Sequence, residues 1–183
     1  VYFLEDYRVT LSELLMPASD ISEQISLAGT EASGTGNMKL MLNGALTMGT
    51  LDGANIEIKD AVGDDNIFIF GMKTEEVNAR KASGYNPEDI YNCNDIVREC
   101  IDRMYNGING CKFEEVANSL RNKDPYMVLA DFDSYRETQN RSSEIYKDKT
   151  KWTKMSLENI AGAGIFSADR AVNEYKNNIW HIK

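Results

Sequence analysis

The stretch GTEASGTGNMKLMLNGALTMGTLDG, from Gly29 to Gly53, predicts a glycine-rich turn followed by a helix and then a short strand or turn. It contains six glycines, and its single lysine, Lys39, stands between Met38 and the apolar run from Leu40 to Leu42. A cation enclosed by apolar residues is costly unless it has a partner or a task. This stretch is therefore the first place to look for a functional site.

The composition is that of a globular protein with one domain or slightly more. The chain has 183 residues, 42% of them hydrophobic, and a formal net charge of -9. This acidic balance argues against binding to nucleic acids or to anionic membrane surfaces. Cys93, Cys100 and Cys111 form no C-x-x-C pair, so we predict reduced thiols in a cytoplasmic protein and no metal site. No apolar run reaches the ~18–20 residues that span a bilayer.

The hydrophobic pattern predicts an α/β fold whose second part is mostly helical. Strands are expected at Val1–Leu4 and Ile67–Phe70, a short strand or turn at Thr47–Thr50, and a helix over Asn55–Val62. After Gly71 the pattern becomes helical, and the predicted helices begin at residue 74 and cover residues 87–105, 113–122, 126–147, 151–160 and 167–180. We expect residues 1–72 to be the end of an α/β sheet and residues 73–183 to form a helical C-terminal region of the same domain.

Two further helix starts are predicted before the glycine-rich turn. Thr10 or Ser12 could cap a short helix that Pro17 ends. Asp20, with Glu23 three residues later, has the spacing of a second helix cap.

Two common phosphate-binding loops fail at a necessary position in this stretch. Gly29 and Gly34 have the spacing of a P-loop, but Thr35 stands where its lysine is required. Gly34 and Gly36 begin a dinucleotide fingerprint, but Lys39 replaces its third glycine.

The chemistry of the stretch still favours a site that binds an anionic ligand group close to the Lys39 amine. Around Gly34 and Gly36, backbone N–H groups can approach a ligand, and the following helix directs unpaired N–H groups to the same place. In the first helical turn, with apolar neighbours, Lys39 would have a lowered pKa and could form a Schiff base with an aldehyde. Asn43 would share its face. Pyridoxal phosphate carries both an aldehyde and a phosphate. The alternative is that Lys39 extends to solvent and the glycines only form a turn.

Several segments together resemble the pyridoxal-phosphate signature of the α-glucan phosphorylases, which act on glycogen, starch and maltodextrin. The main match is EASGTGNMK, from Glu31 to Lys39, followed by LNGALT and GT up to Thr50. The flanking segments also match, namely FLEDYRV before it and DGAN and FIFG after it. The resemblance continues to FSADR and IW near the C-terminus and is weakest between about residues 79 and 122.

The resemblance implies roles for individual residues. Lys39 corresponds to the lysine that binds pyridoxal phosphate covalently, and Tyr7 and Arg8 to residues near the cofactor ring. Two sets of residues in the turn complete the implied site: Gly34, Thr35 and Gly36 for the cofactor phosphate, and Glu31, Ala32, Ser33 and Gly34 for the glucosyl hydroxyls.

The resemblance also implies a reaction and an architecture. In the family, inorganic phosphate cleaves the terminal α-1,4 bond of a glucan with retention to give glucose 1-phosphate, and the cofactor phosphate assists proton transfer. Family members are longer, have two Rossmann-like lobes and are expected to form homodimers. This chain would be the latter part of the C-terminal lobe, and alone it is expected to be inactive.

Two other classes of function stay open from the sequence. A nucleotide-sugar glycosyltransferase of similar architecture would also place a glycine-rich turn against phosphates, but it would not need Lys39. A non-catalytic helical module would need neither. The segment from Asp52 to Asn55 could be a ligand-binding turn or, as we favour, a structural turn beside the cofactor helix.

Overall fold

A computed structural model describes residues 2–182, which form a small parallel sheet surrounded by helices. The strand order is β1-β2-β3, and the register pairs Ile21 with Leu46 and Met48 with Phe68. The strands are β1 (Ile21–Gln24), β2 (Leu46–Gly49) and β3 (Phe68–Ile69). This arrangement confirms the prediction of an α/β fold.

Helices join the strands, as parallel pairing requires. After α1 (Val9–Leu15), the connections contain α2 (Gly36–Leu42) between β1 and β2, and α3 (Asn55–Val62) between β2 and β3. The predicted bounds of α3 are confirmed. Strand β2 lies in the centre of the sheet and is buried along its whole length, which suits its apolar sequence.

The second part of the chain is helical, as predicted. Its helices are α4 (Thr74–Ala82), α5 (Pro87–Cys93), α6 (Asp95–Asn106), α7 (Glu114–Asn122), α8 (Val128–Lys147), α9 (Lys149–Gly162) and α10 (Ala168–Tyr175), followed by a π-helical turn at Lys176–Trp180. No helix within residues 2–182 combines the length and the apolar character needed to cross a bilayer.

The core joins the sheet to helix α9. Trp152 and Met155 of α9 pack against β2 and β3, and the Trp152 ring stacks on Phe68 with 5.9 Å between ring centroids. A second cluster places Met41 of α2 and Ile58 of α3 beside the end of α9. Helix α9 therefore packs both on the sheet and on the helices α2 and α3.

The prediction of a buried strand at the N-terminus was wrong. Val1 lies outside the described residues, and Tyr2–Leu4 form no strand, with Tyr2 94% and Phe3 90% exposed. Among the described residues, β1 pairs only with β2, and nothing pairs with Tyr2–Leu4. A strand needs a partner for its backbone groups, so the apolar sequence alone cannot form one here.

The two predicted caps before the glycine-rich turn were also wrong. The first helix does form and ends before Pro17, but its N-cap is Arg8, not Thr10 or Ser12. Asp20 precedes strand β1 instead of a helix. Pairing with β2 outweighs the local capping pattern, because secondary-structure propensity is weaker than tertiary context.

Candidate functional site

A polar cavity of about 190 Å³ lies at the carboxyl ends of β1 and β2. In open parallel sheets, ligands bind at this edge. The lining residues come from the end of β1, the glycine-rich turn, the start of α2 and the turn before α3: Glu23, Gln24, Ile25, Ser26, Glu31, Ser33, Gly34, Asn37, Asp52 and Asn55.

Three of the four residues predicted for sugar binding line this cavity. Glu31 and Ser33 are exposed there, and Gly34 adopts a positive φ of 80°. The Glu31 Oε1 atom accepts a hydrogen bond of 3.4 Å from the Ser33 N–H. Ala32 is exposed between them but does not line the cavity. The turn therefore presents a carboxylate and a hydroxyl to the cavity.

The Asp52 carboxylate accepts hydrogen bonds from the backbone at the beginning of this turn. Its side chain is 5% exposed, and its Oδ1 accepts a 2.9 Å hydrogen bond from the Gly29 N–H. Its Oδ2 accepts hydrogen bonds from the Glu31 N–H and the Ser26 hydroxyl, both 2.8 Å, and a longer one of 3.4 Å from the Thr30 N–H. From the sequence, Asp52 was assigned to the turn at residues 52–55. Its hydrogen bonds to the glycine-rich turn at residues 29–31 were not predicted.

The environment of Asp52 favours its charged form. Burial raises the pKa of Asp52, but the hydrogen bonds from Ser26, Glu31, Gly29 and Thr30 together outweigh that effect and leave the pKa below its ordinary value. A carboxylate that accepts several N–H bonds is a fixed negative charge beneath the turn.

The far side of the turn is held by a close backbone contact. The Ala54 N–H donates a 2.7 Å hydrogen bond to the Ser33 carbonyl. Gly53 has a φ of 49°, and a Cβ atom there would overlap the Ser33 carbonyl oxygen. Glycine at position 53 therefore allows the two turns to touch.

Two buried asparagines connect the start of α2 to the end of β2. Asn37 Nδ2 donates to Asn55 Oδ1 at 3.0 Å, and Asn55 Nδ2 donates to the Thr50 carbonyl at 3.0 Å. The Met38 N–H donates to Asn37 Oδ1 at 2.9 Å. Neither asparagine was predicted as a site residue. The signals in the sequence were their place in the EASGTGNMK and DGAN segments and their position beside the glycine turns, where short polar side chains hydrogen-bond to nearby backbone.

The residues predicted to hold a cofactor phosphate lie at the start of α2. Thr35 is the N-cap residue, and its side chain makes no capping hydrogen bond. A Cβ atom added at Gly36 would meet no atom within 4 Å among the described residues, so the space beside it is open. This end of α2 therefore has room for a ligand beside the helix N-terminus.

Two expectations about Lys39 were wrong: its side chain is exposed, and it does not lie only at the start of its helix. The predicted apolar enclosure is absent within residues 2–182, because successive helical residues rotate by about 100° and the buried Met41 lies on another face. Lys39 also lies in the last turn of α2, where a cation interacts favourably with the helix dipole. Asn43 Nδ2 donates to the Lys39 carbonyl at 2.8 Å and so contacts its backbone.

Tyr7 and Arg8 are not brought to the cavity in this structure. Both are exposed just before α1, and Arg8 forms an ion pair of 2.9 Å with Asp6. Helix α1 itself buries no residue. Within residues 2–182, no group of three or more His, Cys, Asp or Glu side chains is placed to hold a metal ion.

The fold and the cavity define an α/β protein with a polar cavity at the carboxyl edge of its sheet. Residues 1–182 match the family model described as "Carbohydrate phosphorylase", and the chain belongs to that family. Over its full length it is 48% identical to a glycogen phosphorylase of Synechocystis sp. and 47% and 46% identical to the muscle forms of glycogen phosphorylase from Bos taurus and Rattus norvegicus. The chain spans 22% of the length of each of these relatives.

Proposed function

We propose that the chain is the part of an α-glucan phosphorylase that binds pyridoxal phosphate at Lys39 and a glucosyl unit at the neighbouring turn. The reaction would be phosphorolysis of terminal α-1,4 bonds to glucose 1-phosphate with retention. The relatives are named glycogen phosphorylase. The observation that carries the proposal is the cavity that gathers Glu31, Ser33 and Gly34 beside the start of the helix that carries Lys39.

The residues present fit the cofactor. Thr35 makes no capping hydrogen bond, and Asn37 Oδ1 accepts from the Met38 N–H, which leaves the N–H groups of Gly36 and Asn37 for a phosphate. The space beside Gly36 is open, as a phosphate requires. Lys39 is exposed and has no ion-pair partner within residues 2–182, so its amine is accessible to the aldehyde. When bound, the cofactor supplies a phosphate that assists proton transfer to and from the substrate phosphate.

The turn fits a sugar. The Glu31 carboxylate accepts hydrogen bonds from hydroxyls, and the Ser33 hydroxyl both donates and accepts. Ala32 and Gly34 place no bulky side chain between the backbone and a ligand. The Asp52 contact to the Glu31 N–H and the Ala54 contact to the Ser33 carbonyl hold these groups in a fixed arrangement, which reduces the entropy lost on binding.

The rest of the proposed enzyme lies in the remainder of the parent chain. We place residues 1–72 in the latter part of a Rossmann-like C-terminal lobe and residues 73–183 in its helical C-terminal region. The other lobe and the cations that hold substrate phosphate would come from the remainder of the chain, so the isolated piece is inactive. In the complete lobe, Tyr7 and Arg8 would lie near the cofactor, and the parent protein would be a cytoplasmic homodimer.

Covalent labelling in the full-length parent protein tests the proposal. Borohydride reduction in the presence of pyridoxal phosphate should add the cofactor mass to the peptide that contains Lys39. Lys39→Met should abolish both the label and phosphorolysis. Lys81→Met, at an exposed lysine in the last turn of α4, is the control and should change neither.

Two results would contradict the proposal. If the wild-type parent protein carries no label and releases no glucose 1-phosphate from glucan, the chain does not belong to an active phosphorylase. If it transfers sugar from a nucleotide donor and Lys39→Met keeps that activity, a glycosyltransferase function replaces the proposed one.

A further inference from the structure

The turn proposed to bind the glucosyl unit has no regular secondary structure of its own to hold its shape. Residues 29–35 contain no helix or strand. The backbone N–H groups of Gly29, Thr30 and Glu31 all point to the carboxylate of Asp52, a residue 21 to 23 positions further along the chain. The first three residues of the turn therefore share one buried acceptor, while the Ala54 N–H holds the turn at the Ser33 carbonyl.

We infer that Asp52 is a positioning residue: its hydrogen bonds fix the backbone conformation of the glucosyl-binding turn and so determine the affinity for the sugar. This inference rests on the proposed function. Asp52 would not touch the reacting atoms, since its oxygens are already occupied by Ser26 and by the backbone of the turn. It acts through Glu31, whose N–H it holds and whose side chain lines the cavity.

The arrangement requires a carboxylate specifically. Oδ1 accepts one donor and Oδ2 accepts three, so both oxygens must be acceptors. An asparagine has the same shape but only one acceptor oxygen, and its NH₂ group would face at least one N–H of the turn. Asp52→Asn should therefore release part of the turn without creating a cavity.

Kinetics of the full-length parent protein test the inference. A hydrogen bond to a charged group contributes enough free energy to alter binding by about 10- to 100-fold. Asp52→Asn should raise KM for glucose 1-phosphate by about this factor and change kcat by less than about threefold, because uniform binding is lost and not transition-state stabilisation. Amide hydrogen exchange at residues 29–31 should become faster.

Asp124→Asn is the matched control. Asp124 is also a buried carboxylate that holds backbone N–H groups, those of Val128 and Leu129 at 2.9 Å, but it does not line the cavity. Asp124→Asn should lower thermal stability and leave KM and exchange at residues 29–31 unchanged.

Each outcome decides the question. An unchanged KM with unchanged exchange in Asp52→Asn overturns the inference, and so does a fall in kcat at constant KM. If Asp52→Asn does not fold, Ser26→Ala removes one hydrogen bond to Oδ2. It should raise KM by about threefold and speed exchange at residue 31, and wild-type values for both would overturn the inference. A wild-type parent protein without phosphorolysis would instead refute the proposed function, and exchange at residues 29–31 would still report on Asp52.

Discussion

At the scale of single residues, two buried aspartates show how the number of hydrogen-bond donors around a carboxyl group determines the direction of its pKa shift. Asp52 accepts four hydrogen bonds, and they bring its pKa below the ordinary value despite burial. Asp131 accepts a 2.8 Å bond from the Met72 N–H, and there burial outweighs the bond and raises the pKa. The two side chains should therefore affect stability in opposite ways.

Asparagine substitutions at these two positions should give opposite pH profiles of the unfolding free energy. Asp52 has a lower pKa folded than unfolded, so its stabilisation is complete at neutral pH and disappears as the pH falls through its folded pKa, below about 3.9. Asp52→Asn should be destabilised at pH 7, and this difference from wild type should shrink in acid. Chemical denaturation between pH 7 and pH 3 measures it.

Asp131→Asn serves as the comparison in the same experiment. Its raised folded pKa means that the charged form costs stability as the pH rises through that pKa. An amide keeps an acceptor for Met72, so Asp131→Asn should be as stable as wild type or more stable at pH 7. A loss of stability at pH 7 that equals the loss in Asp52→Asn would contradict this account.

At the scale of elements, one asparagine divides a predicted helix into two. The pattern over residues 87–105 predicted one helix, but the structure has α5 and α6 with Asn94 between them. Asn94 is extended, with φ -112° and ψ 107°, and its Oδ1 accepts hydrogen bonds from the Ile96 and Val97 N–H groups. Asparagine is among the best N-cap residues, so this break has a local cause.

Asn94→Ala should lower the unfolding free energy by about 1 kcal/mol, because the first N–H groups of α6 lose their cap. Thermal or urea denaturation measures the change. Asn92→Ala, two residues earlier at an exposed position in α5, should change stability by less than about 0.5 kcal/mol. Equal effects of the two substitutions would show that the cap is unimportant.

At the scale of the whole molecule, helix α9 connects the sheet to the helix that carries Lys39. Trp152 stacks on Phe68 and meets Tyr146 edge to face, with 4.8 Å between ring centroids. Ser156, one turn later, donates a 2.7 Å hydrogen bond to the Gly44 carbonyl. Helix α9 thereby holds both the sheet and the end of α2, the helix that carries Lys39.

Trp152→Ala should lower the unfolding free energy by about 3–5 kcal/mol, because it removes a buried aromatic side chain and leaves a cavity. Leu157→Ala, on the same helix but 60% exposed, should cost less than about 1 kcal/mol. Denaturation of both variants provides the measurement. Similar losses would mean that the sheet does not depend on the Trp152 contact.

Much of the fold could be predicted from local pattern. The bounds of α3, the strand character of β2 and β3, and the helical second part follow from hydrophobic periodicity and glycine breaks. The pattern failed at Tyr2–Leu4 and at Ile21–Gln24, where a strand depends on a neighbouring strand. Sequence within a segment cannot show whether such a partner exists.

The sequence by itself determined the family and the candidate residues, because a long glycine-rich segment around Lys39 admits few chemistries. Only the tertiary structure decided the exposure, the position and the hydrogen-bond partners of these residues. It exposed Lys39, kept Tyr7 and Arg8 away from the cavity, and placed Asp52 beneath Glu31. The reason is physical: burial and hydrogen bonds between residues 20 or more positions apart arise only when the fold brings distant segments together.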